Sequence, residues 1–312
     1  MAAAPHRIDV HHHLSPPGYI AELDPKGVLT RETLEWTPQL SLDQMDKGGV
    51  QVALTSITTP GLWFGDAAAA KKLARLCNDY AAKLVSDHPK RFGMFVNLPM
   101  PDIDASLKEI EYGLDVLKAD GVVFFTSYGD KWLGDPAFDP VFEELNRRKA
   151  VVYTHPTTAT CCTNLLKSAG IGDSVIEYGT DTTRCIAQIV LSGRSARFAD
   201  IRFIWSHGGG TMPFLYVRFA RAAKGQFRKN VPNGLVPELR RFYYDTAAIY
   251  AKAPLLALRE VVTTDRIVFG TDVPWGDPAE IAKEVAEAGV FSAEELRKID
   301  RDNALRILPQ YR

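Results

Sequence analysis

The chain reads as an α/β protein of the (β/α)8 or TIM-barrel type, on three observations. Short apolar runs alternate with helical patterns eight times along 312 residues, a length that suits eight such units. Metal-binding and proton-transferring residues fall where an apolar run gives way to loop, and a barrel gathers those strand ends at one mouth. No internal repeat, low-complexity run or linker divides the chain, so residues 1–312 are read as a single domain. A doubly wound open sheet is the competing architecture, because periodicity does not show closure.

The first strand lies almost at the N-terminus, where Ile8 and Val10 lead into His11-His12-His13. Residues two apart on a strand share a face, so His11 and His13 point together and His12 points away. Leu14–Pro38 has little periodicity and reads as a functional loop or lid. A helix is expected over Ser41–Lys47, capped by Ser41 and ended by Gly48-Gly49. Val50–Ile57 is the second strand, and the loop after it, Thr58–Gly65, carries Trp63 and Phe64. Asp66–Asp87 is a long helix with Ala70, Leu73, Ala74, Cys77, Tyr80, Ala81 and Leu84 on one side.

Phe92–Asn97 is the third strand, with a helix from Ile103 to Leu117. Gly121–Thr126 is nearly continuously apolar, as a parallel strand buried on both faces should be. A helix over Asp139–Lys149 leads to a fifth strand, Ala150–His155. Pro156–Gly179 reads as irregular, and the next helix as Thr182–Ser192. Ile201–His207, Arg241–Thr246 and Ile267–Asp272 complete the strands, with helices over Thr211–Gln226 and Ala253–Val262 between them. Two helices, Ala279–Ala288 and Ala293–Leu308, finish the chain.

A formal net charge of −1 gives no reason to expect nucleic acid or an anionic membrane surface as partner. No apolar run reaches the length of a membrane span. The start, Met1–Pro5, lacks the charged and apolar regions of a signal peptide. Cys77, Cys161, Cys162 and Cys185 match neither a zinc motif nor a disulfide framework, and read as reduced thiols of a cytoplasmic protein.

The chemistry-bearing residues share a position. Strand five ends Thr154-His155-Pro156, strand six ends Ser206-His207-Gly208-Gly209-Gly210, and strand eight ends Thr271-Asp272-Val273-Pro274-Trp275. The paired imidazoles of His11 and His13 form half of a metal site at the end of strand one. Singly, each has an ordinary reading: His155 as a satisfied buried histidine, His207 as a loop residue whose glycines let backbone approach a ligand, Asp272 as a cap. Five such residues at four strand ends favour one shared site. Asp9 is read as orienting a ligand or tying the strand start, and His6 and His88 as surface residues.

The set Asp9-Val10-His11-His12-His13, His155-Pro156, His207-Gly208-Gly209-Gly210 and Gly270-Thr271-Asp272-Val273-Pro274 resembles the amidohydrolase superfamily. Within it, the chain is similar to the metal-dependent non-oxidative decarboxylases typified by aminocarboxymuconate semialdehyde decarboxylase, near the salicylate-type members. The similarity runs through Met45–Val50, Pro89–Phe92, Leu98–Met100 and Phe242–Asp245 to Asn303-Ala304-Leu305. It implies an amidohydrolase-type barrel with one divalent metal, Zn²⁺ with Mn²⁺ as the alternative, held by His11, His13, His155 and Asp272. It makes His207 an unliganded or weakly liganded catalytic histidine, with Asp272 also handling the proton. Superfamily members with two metals place a carboxylated lysine at the end of strand four. Gly121–Ser127 contains no lysine, so a mononuclear site is expected.

Arg218 matches an arginine that the family delivers across a subunit interface to a substrate carboxylate; its ordinary reading is a solvated helix residue. The family's second substrate arginine has no clear counterpart, since Arg31 aligns poorly, and this argues against a dicarboxylate. The implied substrate is a small hydroxylated aromatic carboxylate, sandwiched by mouth-loop aromatics such as Trp63, Phe64, Trp132 and Trp275. A homodimer or homotetramer is implied as well. The same residues would also serve a hydrolase acting on an amide, lactone or diketone through a zinc-activated water, and a barrel that binds ligand without turnover is a third reading.

Overall fold

Val10 donates its N–H to Phe269 O at 3.0 Å and His13 to Val273 O at 2.9 Å, joining the segment at the end of the eighth strand to the first strand. A parallel bridge between His12 and Val273 lies beside them. These contacts close a sheet of eight parallel strands in sequence order, as seen in a computed structural model that describes residues 6–312. The leader reading of Met1–Pro5 lies outside the described residues. The strands are β1 (Arg7–His13), β2 (Val50–Ser56), β3 (Phe92–Asn97), β4 (Gly121–Phe125), β5 (Val151–His155), β6 (Arg202–Trp205), β7 (Tyr243–Asp245) and β8 (Ile267–Val268). Closure excludes the open sheet and gives the TIM barrel.

Helices follow the strands in turn: α1 (Pro38–Lys47), α2 (Ala67–Asp87), α3 (Ile103–Glu111), α4 (Asp139–Arg147), α5 (Asp173–Leu191), α6 (Met212–Lys224), α7 (Lys252–Val261) and α8 (Pro278–Glu287). Among the described residues no helix is long and apolar enough to cross a membrane.

The alternation of β4 shows how the layers form. Val123 joins Ile8, Val10, Leu54, Phe95, Tyr153 and Val268 in the barrel interior, while Val122 and Phe124 pack outward under the helices. Burying each such side chain is worth about 1.5–3 kcal/mol as an upper figure. Ala304, Ile307 and Leu308 join the same interior cluster. The Asn303 amide fixes their segment by donating to Ile267 O at 2.8 Å, where β8 begins. The C-terminal segment therefore stops the bottom of the barrel and leaves the mouth for chemistry.

β1 departs from simple alternation. Its register against β2 shifts between Asp9 and His12. Val10 belongs to the interior core, yet the ring of the next residue, His11, also faces interior Tyr153, with centroids 5.3 Å apart. His12 turns outward to Ser41 Oγ at 2.8 Å. A bulge of this kind re-aims side chains at a strand end, here setting both His11 and His13 inside.

Several boundaries differ from expectation. Thr37, not Ser41, caps α1, its side chain accepting from Leu40 N–H. Ser41 is buried instead, its hydroxyl accepting from Trp36 Nε1 and donating to His12 Nε2. The loop after β1 contains two short helices, Pro17–Leu23 and Arg31–Glu35. α5 begins at Asp173 rather than Thr182, so Gly179 is helical. Its carbonyl packs against the loop after β6, where a Cβ on Gly210 would lie 2.1 Å from Gly179 O. The last helix expected, Ala293–Leu308, is broken by a π turn at Lys298–Asp302.

Candidate active site

The ends of β1, β5 and the β8 loop bring four donors together. His11 Nε2 and His13 Nε2 lie 3.0 Å apart. Asp272 Oδ1 is 3.1 Å from the first and 3.0 Å from the second. With His155, one donor atom from each residue lies within 4.8 Å of all the others. The three histidines are buried, and the Asp272 side chain is 22% exposed, toward the mouth.

The opposite edge of each ring decides what these donors can do. His11 Nδ1 lies 2.8 Å from Asp245 Oδ2, His13 Nδ1 3.3 Å from Ser56 O, and His155 Nδ1 2.9 Å from Pro156 O. Carbonyl and carboxylate oxygens only accept, so each Nδ1 carries a proton, and Nε2 is the nitrogen whose lone pair each ring offers in its neutral form. Such donors and a carboxylate converging in a buried space repel one another unless a cation, a proton on His11 or a metal ion, joins them. A tetrahedral shell with bonds of about 2.0–2.1 Å would separate ligand atoms by roughly 3.3 Å, close to the spacings among His11, His13 and Asp272. The residues fit a divalent metal in number, chemistry and orientation.

The protein groups alone show the same demand for positive charge. Burial disfavours charge on His11, but the Asp272 and Asp245 carboxylates outweigh it and push its pKa up to about 10. Burial holds His13 and His155 below the usual imidazole range. Burial would raise Asp272, yet His11 and the hydrogen bonds around it hold the carboxyl well below the usual carboxylate range.

His207 faces the other oxygen of Asp272, its Nε2 3.3 Å from Oδ2. Both residues adopt positive φ, 52° for His207 and 64° for Asp272. Such backbone is uncommon for non-glycine residues and persists where neighbours impose it. His207 N–H donates to Asp245 Oδ1 at 2.8 Å, and Asp272 N–H to His11 O at 2.8 Å. The glycines after His207 serve packing: added Cβ atoms would strike Ile249 at Gly208, Tyr244 at Gly209 and Gly179 O at Gly210.

Asp245 is the residue that sequence reasoning missed. Fully buried, it holds the His11 ring and the His207 backbone at once. Asp9 accepts from the His11 backbone N–H at 3.0 Å, from His12 and from Thr271, and so ties the strand start to the loop after β8. The signal for Asp245 was present, a polar residue ending the apolar run Phe242-Tyr243-Tyr244. At the end of β4, where a bridging lysine would stand, Thr126 donates to Asp181.

Above the donors opens a cavity of about 480 Å³ lined by His155, His207 and Asp272 with Tyr178, Ile249 and Trp275. No lysine or arginine is among its lining residues. Trp275 stands where the sequence places it. Trp63 and Phe64 line a neighbouring cavity instead, with Phe125 and Tyr128. Trp132 is tied down, its Nε1 donating to Asp181 at 2.6 Å. Arg218 is exposed on α6, and Arg31 pairs with Glu35 in solvent. His6 lies beside Asp300 at the surface, and His88 packs on Phe92.

A closed eight-stranded barrel with histidine and aspartate donors at its mouth is the architecture of metal-dependent hydrolases and lyases of the amidohydrolase class. This chain belongs to the amidohydrolase family, whose profile, described as Amidohydrolase, matches residues 8–310. It is 37% identical to decarboxylase yanB of Aspergillus niger, over 98% of this chain and 88% of that protein. It is 34% identical to a 6-methylsalicylic acid decarboxylase of Penicillium expansum, over 97% of this chain and 96% of that one. Its fold matches, at a TM-score of 0.85 and 18% identity over 97% and 96% of the two chains, a 5-carboxyvanillate decarboxylase from Novosphingobium aromaticivorans. That structure is complexed with manganese and 4-hydroxy-3-methoxy-5-nitrobenzoic acid.

Proposed function

We propose that this protein is a carboxy-lyase, a metal-dependent non-oxidative decarboxylase of hydroxylated benzoic acids. One observation carries the reading: three histidines, each anchored through Nδ1, aim Nε2 with Asp272 at the floor of a cavity whose lining includes no lysine or arginine. From this chain, a substrate carboxylate entering that cavity finds positive charge at the floor alone. A single carboxylate is therefore favoured over a dicarboxylate. Names of relatives above 30% identity favour decarboxylation over hydrolysis at the same residues.

His11, His13, His155 and Asp272 would hold the metal, Zn²⁺ by donor type, with Mn²⁺ as the alternative suggested by the Novosphingobium structure. When bound, the metal supplies positive charge against the substrate's oxygens. The residues around it handle the proton. Decarboxylation requires a proton on the ring carbon that bears the carboxylate. The carbon–carbon bond then breaks, its electron pair returns to the ring, and CO₂ leaves. Asp272 Oδ2 and His207 Nε2, 3.3 Å apart at the cavity floor, share that proton: Asp272 delivers it and His207 positions and replaces it. Trp275, Tyr178 and Ile249 give the ring an apolar wall.

We also infer self-association as a homodimer or homotetramer through α6. Phe214 and Val217 are 72% and 64% exposed on this helix beside exposed Arg218, an apolar surface of the kind an interface covers. Arg218 would then serve a neighbouring subunit. The reading is tested by incubating the metal-analysed protein with 2-hydroxy-6-methylbenzoate and its ring-hydroxylated analogues. CO₂ and the corresponding phenol are expected in equal amounts; a product carrying added water and an intact carboxylate would overturn it.

A further inference from the structure

The donor cluster at the barrel mouth uses none of the four cysteines. Cys77 and Cys185 are buried in the core, where burial pushes both thiols up and keeps them from reagents in solvent. Cys161 is exposed, Cys162 is half-buried, and the two are adjacent in sequence. They are the last two residues of a single 3-10 turn, Thr160–Cys162, in the loop after β5. Backbone bonds hold that turn in place. Cys162 N–H donates to Ala159 O at 2.8 Å, Thr160 N–H to Gly129 O at 3.2 Å, and Cys161 N–H to Asp130 Oδ1 at 3.0 Å. Gly129 and Asp130 join the two short strands of an antiparallel hairpin, residues 127–132. The two thiols lie within reach of each other. Cys161 is held above the usual cysteine range chiefly by its hydrogen bond with the Cys162 side chain.

Neighbouring thiols can be joined directly or through a third atom, and the backbone decides between the two. The peptide bond between Cys161 and Cys162 is trans, which sets adjacent Cα atoms about 3.8 Å apart. An ordinary disulfide asks for about 4.4–6.8 Å. A direct bond would close a small ring against that peptide and against the hydrogen bonds of the turn, so the pair stays as two thiols. An atom placed between the sulfurs lengthens the bridge and relieves the ring. We propose that Cys161 and Cys162 form a dithiol site for trivalent arsenic, a thiophilic centre that bonds two sulfurs at once. With an organoarsenic(III) oxide the step balances without an oxidant. Two As–S bonds replace the arsenic–oxygen double bond, both S–H bonds break, and the two protons leave with the oxygen as water. Arsenic stays trivalent and neither sulfur is oxidised. The imidazole and carboxylate donors at the mouth are harder ligands than thiols, so the two sites sort their ligands by softness and do not compete. Because the turn is already anchored, the second As–S bond forms at high effective concentration once the first is made.

The test adds phenylarsine oxide to the metal-loaded protein and to protein stripped with a chelator, and reads the intact mass. One phenylarsenic unit per chain is expected in both, with the metal content of the loaded form unchanged. The two thiols that titrate rapidly in the native protein should disappear with capture. The adduct should survive excess 2-mercaptoethanol and yield to 2,3-dimercaptopropanol, which alone of the two offers a competing pair. Cys161→Ser and Cys162→Ser should each weaken capture about 100-fold or more, the advantage that a linked second bond confers. Cys161→Ser changes an exposed side chain, and an unaltered melting temperature shows that the fold is kept. Capture that either variant retains at full strength, that 2-mercaptoethanol reverses, or that expels the bound metal places the arsenic elsewhere and overturns the proposal. So does a native protein with no rapidly titrating thiol, since the pair would then be bonded directly.

Discussion

Asp245 Oδ2 accepts the Nδ1 proton of His11 at 2.8 Å, while Oδ1 of the same carboxylate accepts the backbone N–H of His207 at 2.8 Å. One buried group thus sets a metal donor and the histidine beside it. In Asp245→Asn the amide oxygen stays with the N–H groups of His207 and Ala247. The amide NH₂ then faces His11 and forces its proton to Nε2, where the lone pair must be. Metal affinity is expected to fall about 10- to 100-fold with the fold retained. Competition against a chromophoric chelator measures it, and wild-type affinity would refute the coupling.

His155 and His207 should separate binding from turnover. His155→Ala removes one of four clustered donors and is expected to lose metal and CO₂ release together. His207→Ala touches Asp272 only through Oδ2, so metal content should persist while turnover falls by at least about 100-fold, the usual worth of a general acid–base group. Metal analysis beside a CO₂ assay reads both, and full activity in the His207 variant removes its assigned role.

The donors were legible because each ends an apolar run: His155 before proline, Asp272 after Val268-Phe269-Gly270-Thr271. The barrel was legible for a related reason, since buried parallel strands leave nearly continuous apolar runs such as β4. Other features depend on contacts distant in sequence. The bulge in β1 places Val10 and His11 on the same interior side, which alternation from Ile8 does not predict. Gly179 reads as a helix breaker until the backbone of Gly210 is seen packed against it. Asp245 ends an apolar run as the donors do, but its hold on the His11 ring and the His207 backbone joins residues far apart in the chain. The aromatic pair Trp63-Phe64 lies in the loop after β2, and which cavity it lines depends on Phe125.

Gly210 links α5 to the His207 loop. It holds φ 66°, and a Cβ there would lie 2.1 Å from Gly179 O. Gly210→Ala should cost about 2–4 kcal/mol from backbone strain and overpacking together. Because the loop also positions His207, kcat should fall more than KM rises. Urea denaturation and steady-state kinetics check the two halves; an unchanged midpoint would show that the helix yields without cost.

Phe214→Glu places a charge in the centre of the exposed apolar surface of α6. A lower oligomer is expected by light scattering, with thermal stability little changed because the residue is 72% exposed. If activity depends on Arg218 reaching a neighbour, it falls with dissociation, and Arg218→Ala reproduces the loss without dissociation. An unchanged mass in the Phe214 variant would move the interface elsewhere.

Metal binding should release one proton, and the sign follows from His11. In the metal-free protein its pKa is raised from 6.5 to about 10, so the ring is protonated at neutral pH. His13 and His155 are shifted down and Asp272 well down, so these already stand in their ligand forms. A metal needs the Nε2 lone pair of His11 and must displace that proton. Affinity should therefore rise about tenfold per pH unit between 7 and 9, and calorimetry in buffers of different ionisation enthalpy should count one proton released per ion. The same shift acts on folding. A raised histidine pKa stabilises the metal-free protein fully below 6.5, and that contribution is lost as pH rises toward about 10. The chelated protein should melt progressively earlier over that window, while the loaded protein, whose His11 is already neutral, does not, so the melting gap widens with pH. An affinity flat between pH 7 and 9 would mean that His11 is neutral without metal, and that Asp272 and Asp245 do not hold its proton.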